Sequence, residues 1–313
     1  MKALAVILEK PRHIVLGEVE LTPPAPADVV VDIAFSGIST GTERLLWSGR
    51  MPHFPGMGYP LVPGYESVGR VVEAGTESGR REGDFVFVPG ARCYGDVRGL
   101  FGGAASRVVV PGSRVTPVPE SLGDRASLLA LAATAYHARQ GSAAEGGDLI
   151  IGHGVLGRLL ARLSVLAGGP PPVVWETNPR RAVGAVGYDV VDPSQDERGN
   201  YRTIYDVSGD PTILDRVIPR LTRGGEVVLA GFYEGQLAFT FPPAFMREAR
   251  IRVAAEWRET DLEAVRSLVE AGALSLDGLI THREAAVTAP DAYRTAFEDP
   301  SCLKMILDWS ARS

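Results

Sequence analysis

Asp148-Leu-Ile-Ile-Gly-His-Gly-Val-Leu-Gly-Arg-Leu-Leu-Ala-Arg-Leu-Ser-Val-Leu-Ala167 is the stretch on which the fold of this 313-residue chain turns. A short apolar run, 148–151, leads straight into Gly152-His153-Gly154-Val155-Leu156-Gly157 and then into a segment of helical periodicity. Strand, turn and helix in that order are the context a G-x-G-x-x-G needs in order to hold a dinucleotide. Gly152 permits the tight turn, Gly154 lets a pyrophosphate approach the backbone, and Gly157 lets helix and strand pack closely. The N–H groups of the loop, those of Val155 and Leu156 among them, and the positive end of the helix dipole then face the phosphates. His153 fills a variable position, with no chemical role expected. Glu176 closes the next strand, PVVWE, where the fingerprint places a carboxylate for the adenosine ribose. A carboxylate there accepts hydrogen bonds from the 2′- and 3′-hydroxyls and repels a 2′-phosphate, so NAD is expected over NADP. Arg180 and Arg181 could soften that preference, but read as solvated residues in the first turn of a helix. Ser208, in TIYDVSG, is assigned to the cofactor side as well.

Working outward, strands and helices alternate from DLIIG through VLGRLLARLSVLA, PVVWE, RRAVGAV, YDVV, TIYDVSG, TILDRVIPRL, GGEVVLAGFY and IRVAAEW to DLEAVRSLVEAG. That alternation predicts an α/β fold with a doubly wound parallel sheet. Before it, ALAVIL, VVVDIAF, SVGRVVEAG, DFVFVPG and SRVVVP are short runs broken by glycine and proline, as in a closed or folded-over β-domain. Between the two textures, DRASLLALAATAYHARQ reads as one continuous bridging helix capped by Asp124. The tail from Leu276 is expected to return to the first domain. The predicted domains are thus 1–118 with 276–313, and 119–275.

Composition narrows the function classes. Hydrophobic residues make up 45% and charged residues 22%, which suits an ordinary globular protein and argues against disorder. A net charge of -6 without clustered Lys and Arg excludes a nucleic-acid surface. The opening MKALAVILEKP has no signal-peptide core and is far too short for a spanning helix, so a cytoplasmic protein without stable membrane insertion is expected. Cys93 and Cys302 are the only cysteines, which rules out a thiolate zinc cage.

The order of β-domain, bridging helix, dinucleotide unit and returning tail resembles the medium-chain dehydrogenase/reductase superfamily. Pro63-Gly64-Tyr65-Glu66 followed by SVGRVVEAG looks like its G-H-E segment, and GDFVFVP, FGGAASRVVVP, GGEVVLAG and LITHR sit where its other motifs do. The resemblance implies a GroES-like β-rich catalytic domain beside a Rossmann domain. Within the superfamily, GISTGTERLLWSGRMPHFPGMGYPLVPGYESVGRVVEAG, FVPGARCYGDVRGLFGG and PPAFMREARIRVAAEW look like the branch that acts on bacteriochlorophyllides. What this implies is NAD-linked oxidation of a 1-hydroxyethyl side chain on the tetrapyrrole to an acetyl group.

The superfamily's zinc enzymes hold their metal with Cys, His and a third Cys or acid. Here Ser39, Tyr65 and Ala130 stand in those places, and no metal is expected. The resemblance therefore makes Tyr65 the candidate catalytic group, with Ser39, Thr42 or Glu66 as a proton relay. Glu66 reads equally as a group that ionises Tyr65 or positions the alcohol, or as a structural ion-pair partner; Glu43 is open in the same way. Arg92, Tyr94 and Arg98, in a glycine-rich loop with Cys93, could meet a large planar acid, although loop solvation and inert packing explain them too. His137 and His282 read as structural. A zinc-independent quinone or enoyl reductase and a non-catalytic dinucleotide scaffold are the competing functions; the intact glycine motif with Glu176 speaks against the scaffold, and NADPH use by such reductases speaks against the other. The oligomeric state stays open, a homodimer among the options.

Overall fold

Val-rich segments between glycines and prolines become the strands of the first of two units in the computed structural model, which describes residues 1–53, 56–142 and 147–310. The units are Met1–Ala130 with Leu279–Ser313, and Leu131–Gly278. In the first lie β1 (Lys2–Lys10), β2 (His13–Glu20), β3 (Asp28–Ile38), α1 (Thr42–Ser48), β4 (Leu61–Val62), β5 (Ser67–Ala74), β6 (Phe85–Val88), β7 (Arg98–Gly99), β8 (Arg107–Pro111) and β9 (Thr116–Pro117). The second holds α2 (Leu129–Arg139, starting at the boundary), β10 (Asp148–Ile151), α3 (Val155–Leu166), β11 (Val173–Trp175), β12 (Asp189–Val191), β13 (Tyr201–Asp206), α4 (Ile213–Val217), β14 (Leu221–Leu229), α5 (Phe241–Arg247), β15 (Arg250–Val253) and α6 (Glu259–Glu270). The tail adds β16 (His282–Ala285), α7 (Ala289–Glu298) and β17 (Met305–Asp308).

The first unit carries two sheets, β2-β1-β4-β7 and β16-β17-β3-β5-β6-β9, with β8 also on β3. Strand β3 is central: Val29, Val30 and Val31 are all buried because both its edges and both its faces are covered. The tail enters this sheet through β17, antiparallel to β3 with Met305 opposite Ile38 and Leu307 opposite Ser36. That register brings the residues around Lys304 to the end of β3 where Ser39 begins the turn into α1.

The second unit is a six-stranded sheet in the order β12-β11-β10-β13-β14-β15, every neighbouring pair parallel. The chain leaves β10 toward one edge and later crosses to β13 on the other side. That reversal makes the carboxyl ends of β10 and β13 the topological switch point where such sheets bind ligands. Helix α3 buries Val155, Leu159, Leu160 and Leu163 against the sheet, the helical spacing of one apolar face.

Three expectations need correction. The bridging helix is not continuous from Asp124: Glu120–Leu128 is 3₁₀, with Gly123 at φ +53 inside it, and the α-helix begins at Leu129. Asp124 does not cap it; its carboxylate pairs with Arg283 at 2.5 Å. The 3₁₀ stretch packs on β3, β5 and β6, which carries the first unit on to Ala130. RRAVGAV forms no helix between β11 and β12 either, so Arg180 and Arg181 do not stand in a helical first turn. Conversely, FPPAFMR is a helix that the alternation missed.

Candidate active site

Two separate clusters of functional side chains form, one in each unit. In the second unit β10 ends at Ile151 and the chain turns at Gly152, whose φ of +101 suits glycine alone at low cost. A Cβ on Gly157 would lie 1.9 Å from the Gly152 carbonyl oxygen, so only glycine lets α3 start so close to β10. At Gly154 a Cβ would meet nothing within 4 Å, and no side chain caps the first turn of α3. Open space above uncapped N–H groups is the cradle that a diphosphate fits. The Glu176 carboxylate is held at its edge, accepting from the His153 N–H at 3.1 Å and the Asn178 N–H at 2.8 Å. Ser208 lies at the carboxyl end of β13, beside β10; its N–H and hydroxyl both bind Asp206 Oδ1, at 3.0 and 2.6 Å, and shape the turn there. His153 is completely buried and bonded through both ring nitrogens, a structural part for which its place in a glycine loop gave no signal.

In the first unit, Ser39 and Tyr65 come together: Ser39 Oγ and Tyr65 Oη are 2.7 Å apart, with the Thr42 hydroxyl bonded to the same phenol. Phe101 packs edge-on against the Tyr65 ring at 5.3 Å between centroids. Burial, and then the neighbouring Glu66 and Glu43, push the Tyr65 phenol far above its ordinary value. The expectation that Glu66 ionises Tyr65 is thereby corrected, because a carboxylate beside a phenol opposes its ionisation. Glu66 itself is completely buried and meets Lys304 Nζ at 2.6 Å, while Lys304 also donates to the Ile38 carbonyl at 3.2 Å. Lys304 was missed by the motif reading. Its signal is a lone lysine inside Cys-Leu-Lys-Met-Ile-Leu, since a charge in an apolar strand needs a buried partner.

Glu43 is the other buried carboxylate here. It accepts from the Ser39 N–H at 3.0 Å and from the Tyr293 hydroxyl at 2.7 Å. Burial pushes its pKa from the ordinary 4.5 up to about 7. Between those two values the folded chain keeps a proton on Glu43 that the unfolded chain has lost, so the contribution of Glu43 to stability falls as pH rises through this window and is constant on either side. Glu43→Gln removes that slope. Its unfolding free energy, measured by urea titration, should gain on wild type by about 2–4 kcal/mol between pH 4.5 and pH 8; parallel pH profiles would show that Glu43 ionises normally.

Arg92 and Arg98 are exposed, whereas Tyr94 is buried with its hydroxyl on the Gly102 carbonyl, so its ring is not presented to a ligand. The Cys93 thiol is packed in the core, where burial raises its pKa. His137 pairs with Asp261 at 2.7 Å and His282 with Thr281 at 2.9 Å. A cavity of about 930 Å³ on the first unit, bordered by Phe35, Phe85, Arg107 and Trp309, includes none of Ser39, Thr42, Tyr65 or Glu66. Among the described residues no group of three His, Cys, Asp or Glu is placed to hold a metal. A hydroxyl, a phenol and a methyl group at Ser39, Tyr65 and Ala130 do not fit a tetrahedral zinc. No helix among the described residues is long and apolar enough to cross a membrane.

A glycine loop and a carboxylate on a doubly wound parallel sheet, together with a β-rich unit, define a dinucleotide-binding enzyme of the medium-chain dehydrogenase/reductase type. Residues 25–120 match the alcohol dehydrogenase GroES-like domain. L-idonate 5-dehydrogenase from Escherichia coli superposes with a TM-score of 0.86 at 18% identity, over 99% of each chain. The 2-desacetyl-2-hydroxyethyl bacteriochlorophyllide A dehydrogenases of Rhodobacter capsulatus and Cereibacter sphaeroides are 60% and 57% identical, each over 99% of both chains. This chain belongs to their family.

Proposed function

We propose that this protein oxidises the 1-hydroxyethyl side chain of a bacteriochlorophyllide to an acetyl group in bacteriochlorophyll a synthesis, in the cytoplasm, with NAD as hydride acceptor. The observation that carries this reading is 60% identity across the full length of a relative named for that substrate. Oxidation takes a hydride from the carbinol carbon and a proton from its oxygen; bound NAD supplies the hydride acceptor. Gly152, Gly154, Val155, Leu156 and Gly157 would hold its diphosphate, Glu176 its adenosine ribose, and Ser208 would border it.

The proton is the task of the first unit. Tyr65, kept protonated by its surroundings, hydrogen-bonds the alcohol oxygen and takes its proton as its own passes to Ser39 Oγ, 2.7 Å away, and on to water. Thr42 helps to hold the phenol. A protonated phenol can act in this concerted way where a free tyrosinate would be too costly to form. Zinc takes no part, so chelation leaves turnover unchanged; activity lost on chelation and restored by zinc contradicts this.

Two outcomes test the assignment further. Glu176→Ala loses hydrogen bonds to a charged group, about 1.5–3 kcal/mol, and should weaken NAD binding by roughly ten- to a hundredfold with less discrimination against NADP. Titration of both cofactors checks it, and a wild type that favours NADP refutes the NAD assignment. In parallel assays a hydroxyethyl bacteriochlorophyllide should be turned over and ethanol or a simple sugar alcohol scarcely at all; comparable turnover of ethanol sinks the tetrapyrrole assignment.

A further inference from the structure

Where a βαβ unit ordinarily has a helix, the chain after Glu176 makes a single turn and stops. The N–H groups of Arg181 and Ala182 reach the Asn178 carbonyl at 2.9 and 3.1 Å, and no further helical bond follows. The carbonyls that would continue the helix are taken by side chains from elsewhere. Arg158, at the end of the first turn of α3 and only 4% exposed, donates to the carbonyls of Arg181 at 2.9 Å, Val183 at 2.8 Å and His153 at 3.1 Å. His153 Nδ1 donates to the same Arg181 carbonyl at 2.6 Å. A carbonyl can only accept, so Nδ1 bears the proton and Nε2 accepts from the Tyr188 hydroxyl at 2.8 Å. Gly184 completes the seat: its φ is +84, and a Cβ there would lie 2.8 Å from Arg158 Nη1.

This latch ties three parts of the cofactor site together. His153 belongs to the glycine loop, its backbone N–H holds Glu176, and its ring holds the segment bearing Arg180 and Arg181. We propose that His153, with Tyr188 and Arg158, is a positioning device for cofactor selectivity: it aims the Glu176 carboxylate at the ribose hydroxyls and fixes residues 178–184 so that Arg180 and Arg181 do not fold over a 2′-phosphate. The inference rests on the reading that Glu176 receives the adenosine ribose. It assigns a task to a loop residue that the glycine motif leaves variable.

Tyr188→Phe, which removes one hydroxyl, and His153→Phe, which keeps the bulk and removes both ring bonds, test it. Dissociation constants for NAD and NADP are measured by fluorescence titration, with kcat at saturating NAD and melting temperature recorded beside them. The expected result is an NAD constant raised about threefold in Tyr188→Phe and tenfold or more in His153→Phe. NADP binding should be unchanged or tighter and kcat within twofold, so that the NAD/NADP ratio moves while the chemistry does not. An unmoved ratio in the folded Tyr188→Phe and His153→Phe proteins, whether both constants stay put or both weaken equally, overturns the proposal. Wild type alone tests the underlying reading: equal affinity for the two cofactors would refute the NAD assignment, and the latch would still stand or fall on whether the variants shift that ratio.

Discussion

Tyr65→Phe is expected to lower kcat by about a hundredfold or more, the usual share of a positioned proton-transfer group, while the dissociation constant for NAD stays within about twofold. The hydroxyl is the only part removed. Phe keeps the edge-on contact with Phe101 and the backbone of the turn before β5, so a purely packing role for Tyr65 predicts almost no loss. Ser39→Ala should cost less, because water can take the proton that Ser39 Oγ otherwise receives. Steady-state kinetics at saturating cofactor decide the matter: a Tyr65→Phe enzyme with at least half the wild-type kcat removes Tyr65 from the mechanism.

Lys304→Met should strongly destabilise the first unit. It leaves the Glu66 carboxylate completely buried with no counter-charge, its own Oε1 already without a hydrogen-bond partner. Uncompensated charges of this kind cost about 3–5 kcal/mol, a fall in Tm on the order of 10 °C. Gly37 lies so close that a Cβ there would be 2.4 Å from Glu66 Oε2, which leaves the carboxylate no room to swing away. The double variant Glu66→Gln with Lys304→Met has no buried charge and should recover more than half of the loss. Calorimetry on the two proteins checks this; equal melting temperatures would mean that the pair contributes nothing beyond packing.

Much of this architecture is local and so could be read from the chain. Gly152 and Gly157 declare a strand-to-helix turn because each serves a backbone need satisfied within a few residues, whereas Gly154 keeps space open for a ligand, and Glu176 follows from the same unit. The alternation of apolar runs marks β10 to β15 in the same way. What stayed hidden depends on contacts distant in sequence. Lys304 meets Glu66 only because β17 pairs with β3, and Tyr293 reaches Glu43 from a helix about 250 residues further on. The missing helix after β11 was illegible for a related reason: RRAVGAV has adequate helical composition, but Arg158 and His153 take its carbonyls from another element. The break at Gly123 was visible as a glycine, yet not as a φ of +53 that ends one helix type and delays the next.

One measurement tests metal-free, NAD-linked oxidation of the pigment most directly. Purified protein, treated with chelator and shown by metal analysis to be free of zinc, is incubated with a hydroxyethyl bacteriochlorophyllide and NAD while NADH formation and the pigment's absorption shift are followed together. One NADH for each pigment converted to its acetyl form, at the rate of untreated protein, is the predicted result. NADH without pigment conversion, conversion only with NADP, or no turnover until zinc is restored would contradict it.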